Sequence, residues 1–169
     1  IGADIDIDGR TGHGTTVTVF LPESMSERRR PELPTAPPDA DIAGKETVLV
    51  VEDDEMVRNF VREALTFYGY TPLMAAEPAA AQRIARETDD PIHAVLTDVV
   101  LPDMSGMHLA QMLRTIRPGI KVLYMSGYPD HPVFEQGGIS RDASFLPKPF
   151  TPNVLAKKVR DVLDSGKVA

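Results

Sequence analysis

A chain of 169 residues has room for one ordinary domain with appendages. Its 42% hydrophobic and 25% charged residues are a globular composition, and a net charge of −7 argues against nucleic acid as a bulk electrostatic partner. No run approaches the roughly 18 apolar residues of a membrane span, no signal peptide is visible, and zero cysteines exclude disulfides and thiolate metal sites.

In chain order, Ile5 and Ile7, then Val17, Val19 and Leu21, alternate in a β manner around the turn-rich Gly9-Arg10-Thr11-Gly12-His13-Gly14. This predicts one hairpin, too small to be stable alone in water. The chain starts at Ile1 on what looks like mid-domain sequence, and it reads as a piece of a longer protein. Residues 24–44 carry Arg28-Arg29-Arg30 among acids and Pro31, Pro34, Pro37 and Pro38 without periodicity, the pattern of an extended linker.

From Thr47 strands and helices alternate. A strand over about 47–52 is almost wholly apolar, as a strand covered on both faces should be. A helix over 55–68 follows, with Met56, Val57, Phe60, Val61, Ala64, Leu65 and Tyr68 at helical spacing and Gly69 as its stop. Next come a strand near 70–75, a helix opening at Pro78, a strand from His93 to Asp98, a helix over 106–116 and a strand over 120–126. The pattern is poor over 130–142, where a short or irregular helix is expected. A strand over 143–147 and a helix over 151–164, with Val154, Leu155, Val159, Val162 and Leu163 on one face, complete five βα units. Such a series predicts a doubly wound parallel sheet with helices on both faces.

Five short pieces carry the chemistry. Glu52-Asp53-Asp54 closes the first apolar run, Asp98 the second, Ser126 the third and Lys148 the fourth, while Leu101-Pro102-Asp103-Met104-Ser105-Gly106 follows Asp98. In a parallel sheet these strand ends converge where ligands bind. Three crowded carboxylates repel unless a cation or proton intervenes. A lysine and an oxygen-loving cation can together neutralise a phosphoryl group in transfer to a carboxylate. Asp54 is better read as a helix N-cap. The histidines His13, His93, His108 and His131 have no metal-ligand spacing, the glycines at 9, 12 and 14 fit a tight turn, and the arginine run is a solvated linker feature.

These residues resemble the receiver domain of two-component response regulators over about 46–165, and particularly the receivers fused to hybrid histidine kinases, where the Met125-Ser126-Gly127-Tyr128 form of the strand end is familiar. The resemblance implies a flavodoxin-like fold with strand order 2-1-3-4-5 and Asp98 as acceptor of a phosphoryl group from a phosphohistidine. It implies Mg²⁺ held by Asp53, Asp98 and the backbone carbonyl of Val100, with Glu52 acting indirectly. Ser126 would hydrogen-bond the bound phosphoryl group, Lys148 would pair with it, and Phe145 would be the rotating switch aromatic. Lys148-Pro149 would be a cis peptide.

Residues 1–23, with the Gly12–Pro22 stretch, look like the closing strands of a histidine-kinase ATP-binding domain, without that domain's magnesium- and adenine-binding motifs. The implied layout is 1–23 kinase remnant, 24–45 linker and 46–166 receiver. The implied partners are the phosphohistidine of its own or a cognate kinase and a histidine phosphotransfer protein, in the cytoplasm, with neither nucleic acid nor membrane contacted. Val100 and Tyr128 stand where the family orients a hydrolytic water, and an apolar Val100 predicts a long-lived phosphoaspartate. Three rival readings fit these residues less well. A docking module restraining a kinase core has no need of Asp98, Lys148 and the acids. An aspartate-nucleophile phosphatase wants a carboxylate where Val100 stands. A flavin protein wants a Ser/Thr/Gly-rich loop after the first strand.

Overall fold

The computed structural model describes residues 4–10, 12, 14–20, 40–127 and 144–165. The expected helix over 130–142, Tyr128 and the linker arginines lie outside them. The chain divides into two compact units, Ile1–Glu32 and Leu33–Ala169.

In the first unit, β1 (Asp4–Arg10) and β2 (Gly14–Phe20) pair antiparallel. The register sets Ile5 opposite Val19 and Ile7 opposite Val17, so these four residues share one face, while Phe20, opposite Asp4, lies on the other. That face is exposed, with Ile7 at 65%.

The second unit carries β3 (Thr47–Val51), α1 (Glu55–Phe67), β4 (Thr71–Ala75), α2 (Pro78–Glu87), β5 (Ala94–Asp98), α3 (Gly106–Ile116), β6 (Lys121–Ser126), β7 (Ser144–Pro147) and α4 (Pro152–Asp164). All strand pairs are parallel, in the order β4-β3-β5-β6-β7. Counted from β3, this is the expected 2-1-3-4-5. Alternation along each strand divides the core in two. Val48, Val50, Leu96, Leu123, Met125 and Leu146 pack with α1 and α4 on one face. Leu49, Val51, Val95, Val122 and Tyr124 pack with α2 and α3 on the other. A sheet covered on both sides requires apolar residues at consecutive positions, and β3 buries Val48, Leu49, Val50 and Val51 completely.

The helices follow their sequence signals. Asp54 caps α1, accepting from the backbone N–H groups of Met56 and Val57 at 2.8 and 3.1 Å. Its other end closes in a Schellman arrangement, Tyr70 N–H to Leu65 O and Gly69 N–H to Thr66 O, with Gly69 at φ +89°. Thr151 and Ser105 cap α4 and α3. Two expected core positions are corrected. Met56 is 79% exposed and Val154 43%. Each precedes a core residue, Val57 or Leu155, by one position, which turns it about 100° off the buried stripe.

The predicted linker ends earlier than its composition suggests. Ile42 packs against the α1/α4 core, and its carbonyl accepts from the Tyr70 hydroxyl at 3.0 Å. Gly44 N–H donates to Tyr68 O, and Glu46 pairs with Arg160 of α4 at 2.9 Å. Burial pushes the Tyr70 phenol up to about 12, so the hydroxyl remains a donor throughout the physiological range.

Candidate functional site

The carboxyl ends of β3, β5, β6 and β7 meet at one end of the sheet. Lys148, just past β7, extends its Nζ to Asp98 Oδ2 and to Glu52 Oε2, each at 2.6 Å. Three residues separated by 46 and 50 positions in sequence are thereby joined through one ammonium group. Lys148 is anchored through its backbone, because its N–H donates to Ser126 O at 2.8 Å; the Lys148-Pro149 bond is cis, as the resemblance implied. Asp98 is held from its other side: Val100 N–H donates to Asp98 Oδ1 at 2.8 Å.

Burial grades the three groups. Glu52 is 1% exposed, whereas Lys148 and Asp98 keep 19% and 14% of their side-chain surface in solvent. Burial pushes the Glu52 carboxyl up, its bond to Lys148 pulls it down, and the neighbouring Asp98 charge pushes it up again, so the net direction is up. For Lys148 burial favours the neutral amine, but bonds to Asp98 and Glu52 outweigh it, and its value rises. The asymmetry has a simple cause. One lysine is shared by two carboxylates that repel each other, so the cation gains from both while the buried acid receives only part of it.

The remaining expected residues fall around this triad. Asp53 is exposed beside Glu52, and Ser126 is buried at the end of β6. Phe145, opposite Tyr124 in the sheet register, is half-buried against the α2/α3 core and lies with the packing residues. Among the described residues no group of three or more Asp, Glu or His side chains is spaced to cage a metal. A hard divalent cation that keeps several waters needs less: the exposed Asp53 carboxylate, the Asp98 carboxylate and the Val100 carbonyl are all oxygen donors of the required kind. The residues present fit such an ion.

Three contributors escape the sequence reading. The Val100 N–H is a backbone donor, and only its position two residues past Asp98 hints at it. Thr97, fully buried, donates its hydroxyl to Asp98 O at 3.0 Å. Gly106 packs so closely that a Cβ there would sit 1.9 Å from Asp98 O, while its N–H donates to Val99 O. The Leu101–Gly106 stretch after Asp98 is a tight connection, with a bridge between Val100 and Ser105. Its tightness follows from a glycine backbone lying directly against the aspartate's own carbonyl.

Comparison with known proteins agrees with this geometry. Residues 48–160 match the family model for the response regulator receiver domain. Across 169 residues, 96% of this chain, it is 36% identical to the sensor kinase CckA of Brucella abortus (strain 2308), of whose length it spans 18%. It is 31% identical over 116 residues to the response regulator receiver protein CpdR of the same organism, covering 69% of this chain and 95% of CpdR. Among solved structures, the receiver domain of the hybrid histidine kinase CckA superposes with a TM-score of 0.58 at 32% identity, covering 69% of this chain and 98% of that one. A doubly wound sheet, an acid-lysine triad at its carboxyl end and a family match across the whole βα series together place this chain in the response regulator receiver family.

Proposed function

We propose that Asp98 is the phosphoacceptor of a phosphorelay, taking a phosphoryl group from a phosphohistidine in a reaction that depends on Mg²⁺. The observation that carries this reading is the Lys148 ammonium bound to both Asp98 and Glu52 at 2.6 Å. An Asp98 carboxylate oxygen forms the new P–O bond as the donor's P–N bond breaks and its electron pair returns to the imidazole. Lys148 stays beside the acceptor oxygen and neutralises charge on the incoming group, and Val100 N–H holds the other carboxylate oxygen in place. Asp53, Asp98 and the Val100 carbonyl would hold the Mg²⁺, with Glu52 acting through its neighbours. When bound, the ion supplies further neutralisation of the phosphoryl oxygens. Once phosphorylated, Asp98 carries new acceptor oxygens that Ser126 can reach for, and Phe145 is the aromatic placed to follow.

The same reading assigns residues 46–166 as receiver, 24–45 as linker and 1–23 as the closing strands of a kinase ATP-binding domain. The continuous likeness to a sensor kinase across 96% of the chain supports this. The parent is then a hybrid histidine kinase, the setting cytoplasmic and the downstream partner a histidine phosphotransfer protein. The test is incubation with a small-molecule phosphodonor and Mg²⁺, read by intact mass. A gain of about 80 Da, one phosphoryl group, absent in Asp98→Asn and without Mg²⁺, is expected. A folded protein that gains nothing overturns the reading in favour of a docking module that restrains the kinase core.

A further inference from the structure

Arg58 stands outside the acid-lysine triad. Its Nη1 donates to the carbonyl oxygens of Glu52 and Asp53, at 2.8 and 3.0 Å. These carbonyls lie in the gap between two regular elements, since β3 ends at Val51 and the hydrogen bond from Arg58 N–H onto Asp54 O opens the α1 ladder. Around the same turn, Glu52 N–H donates to Ala75 O at 3.2 Å, and the Asp54 carboxylate takes two helix N–H groups. The guanidinium completes the set and fastens the two carbonyls that sheet and helix leave over.

We propose that Arg58 is the positioning residue of the acidic turn. By clamping the two peptide units around Asp53 it sets the directions in which the neighbouring acids leave the backbone. Glu52 then turns inward onto Lys148, and Asp53 stays at the surface where a metal donor is required. It also brings a permanent positive charge to three crowded acids, and its Nη1 bonds go to carbonyls and leave the carboxylates to the site. Groups one step removed from a metal ligand commonly control affinity in this way. The inference rests on the phosphoacceptor reading of Asp98 and Asp53.

The test is a Mg²⁺ titration of the full 169-residue chain, read from the amide shifts of Asp53, Asp98 and Val100 at a temperature where every variant is folded. Arg58→Met keeps the aliphatic stem and removes the donors, Arg58→Lys restores a single cationic donor, and Arg62→Met, on the exposed side of α1, is the control. The expected result is a Kd raised by about tenfold or more in Arg58→Met, an intermediate value in Arg58→Lys and no change in Arg62→Met. A folded Arg58→Met with the wild-type Kd overturns the proposal. Should Arg58→Met fail to fold, Arg58→Lys decides: a weakened Kd supports positioning, and an unchanged one overturns it. A wild-type chain with no Mg²⁺-dependent shifts would instead count against the phosphoacceptor reading itself.

Discussion

Glu52 shows what a site residue costs the fold that carries it. Its carboxyl is buried at 1% exposure, shares its lysine with Asp98, and has its proton affinity raised above the ordinary value of 4.5. A folded carboxyl that holds its proton more tightly than the unfolded one contributes stability at low pH. That contribution disappears as pH rises through its folded value. At neutral pH the burial of the ionised Glu52 carboxylate therefore works against stability. Glu52→Gln is expected to raise the thermal midpoint at pH 7, because the amide removes the buried charge. The gain should vanish below pH 4.5, where both states are protonated, and phosphorylation by a small donor should fall in the same variant. A midpoint unchanged or lowered at pH 7 would show that Lys148 fully compensates the burial.

At the scale of elements, the β5–α3 connection has the least tolerance. Its path is fixed by Val99 O accepting from Gly106 N–H, by the bridge between Val100 and Ser105, and by the Ser105 cap on His108 N–H. Gly106→Ala would force a Cβ to within 1.9 Å of a backbone oxygen that cannot move without carrying Asp98 with it. A loss of about 3 kcal/mol in denaturant unfolding is expected, at the upper end for overpacking, together with loss of phosphorylation even where the domain remains folded. A fully active, stable Gly106→Ala would mean the connection shifts freely. The same stretch shows how far sequence reasoning reaches. Strand-end acids and lysine were legible because parallel sheets bury continuous apolar runs and release polar residues only at their ends, so Asp98 and Lys148 stand out against Val95-Leu96 and Phe145-Leu146. What stayed hidden was backbone chemistry: the Val100 N–H, the Gly106 approach and the carbonyls taken by Arg58 depend on where peptide planes point, which residue identity does not encode. The exposed Met56 failed for a related reason, because a hydrophobic residue one position off a stripe reads like a member of it.

For the whole molecule, the two compact units make different demands on stability. The hairpin buries none of Ile5, Ile7, Val17, Val19 or Phe20, and two strands alone contribute little in water. Removing residues 1–32 is expected to leave the thermal midpoint of the remainder within about 1 °C, since a change smaller than a few tenths of a kcal/mol lies below that shift. A larger drop in calorimetry would show the hairpin supporting the second unit. Deleting residues 40–46 as well should cost more, because Ile42, Gly44 and Glu46 make specific bonds to Tyr70, Tyr68 and Arg160. Those bonds bring the chain in at the amino ends of the strands, whereas Asp98 lies at the carboxyl ends. β5 itself accounts for about 17 Å of that separation at 3.3 Å per residue. Sequence changes at Ile42, Gly44 and Glu46 therefore act on the second unit from the end of the sheet remote from Asp98, and its stability can be adjusted there without touching any residue of the site.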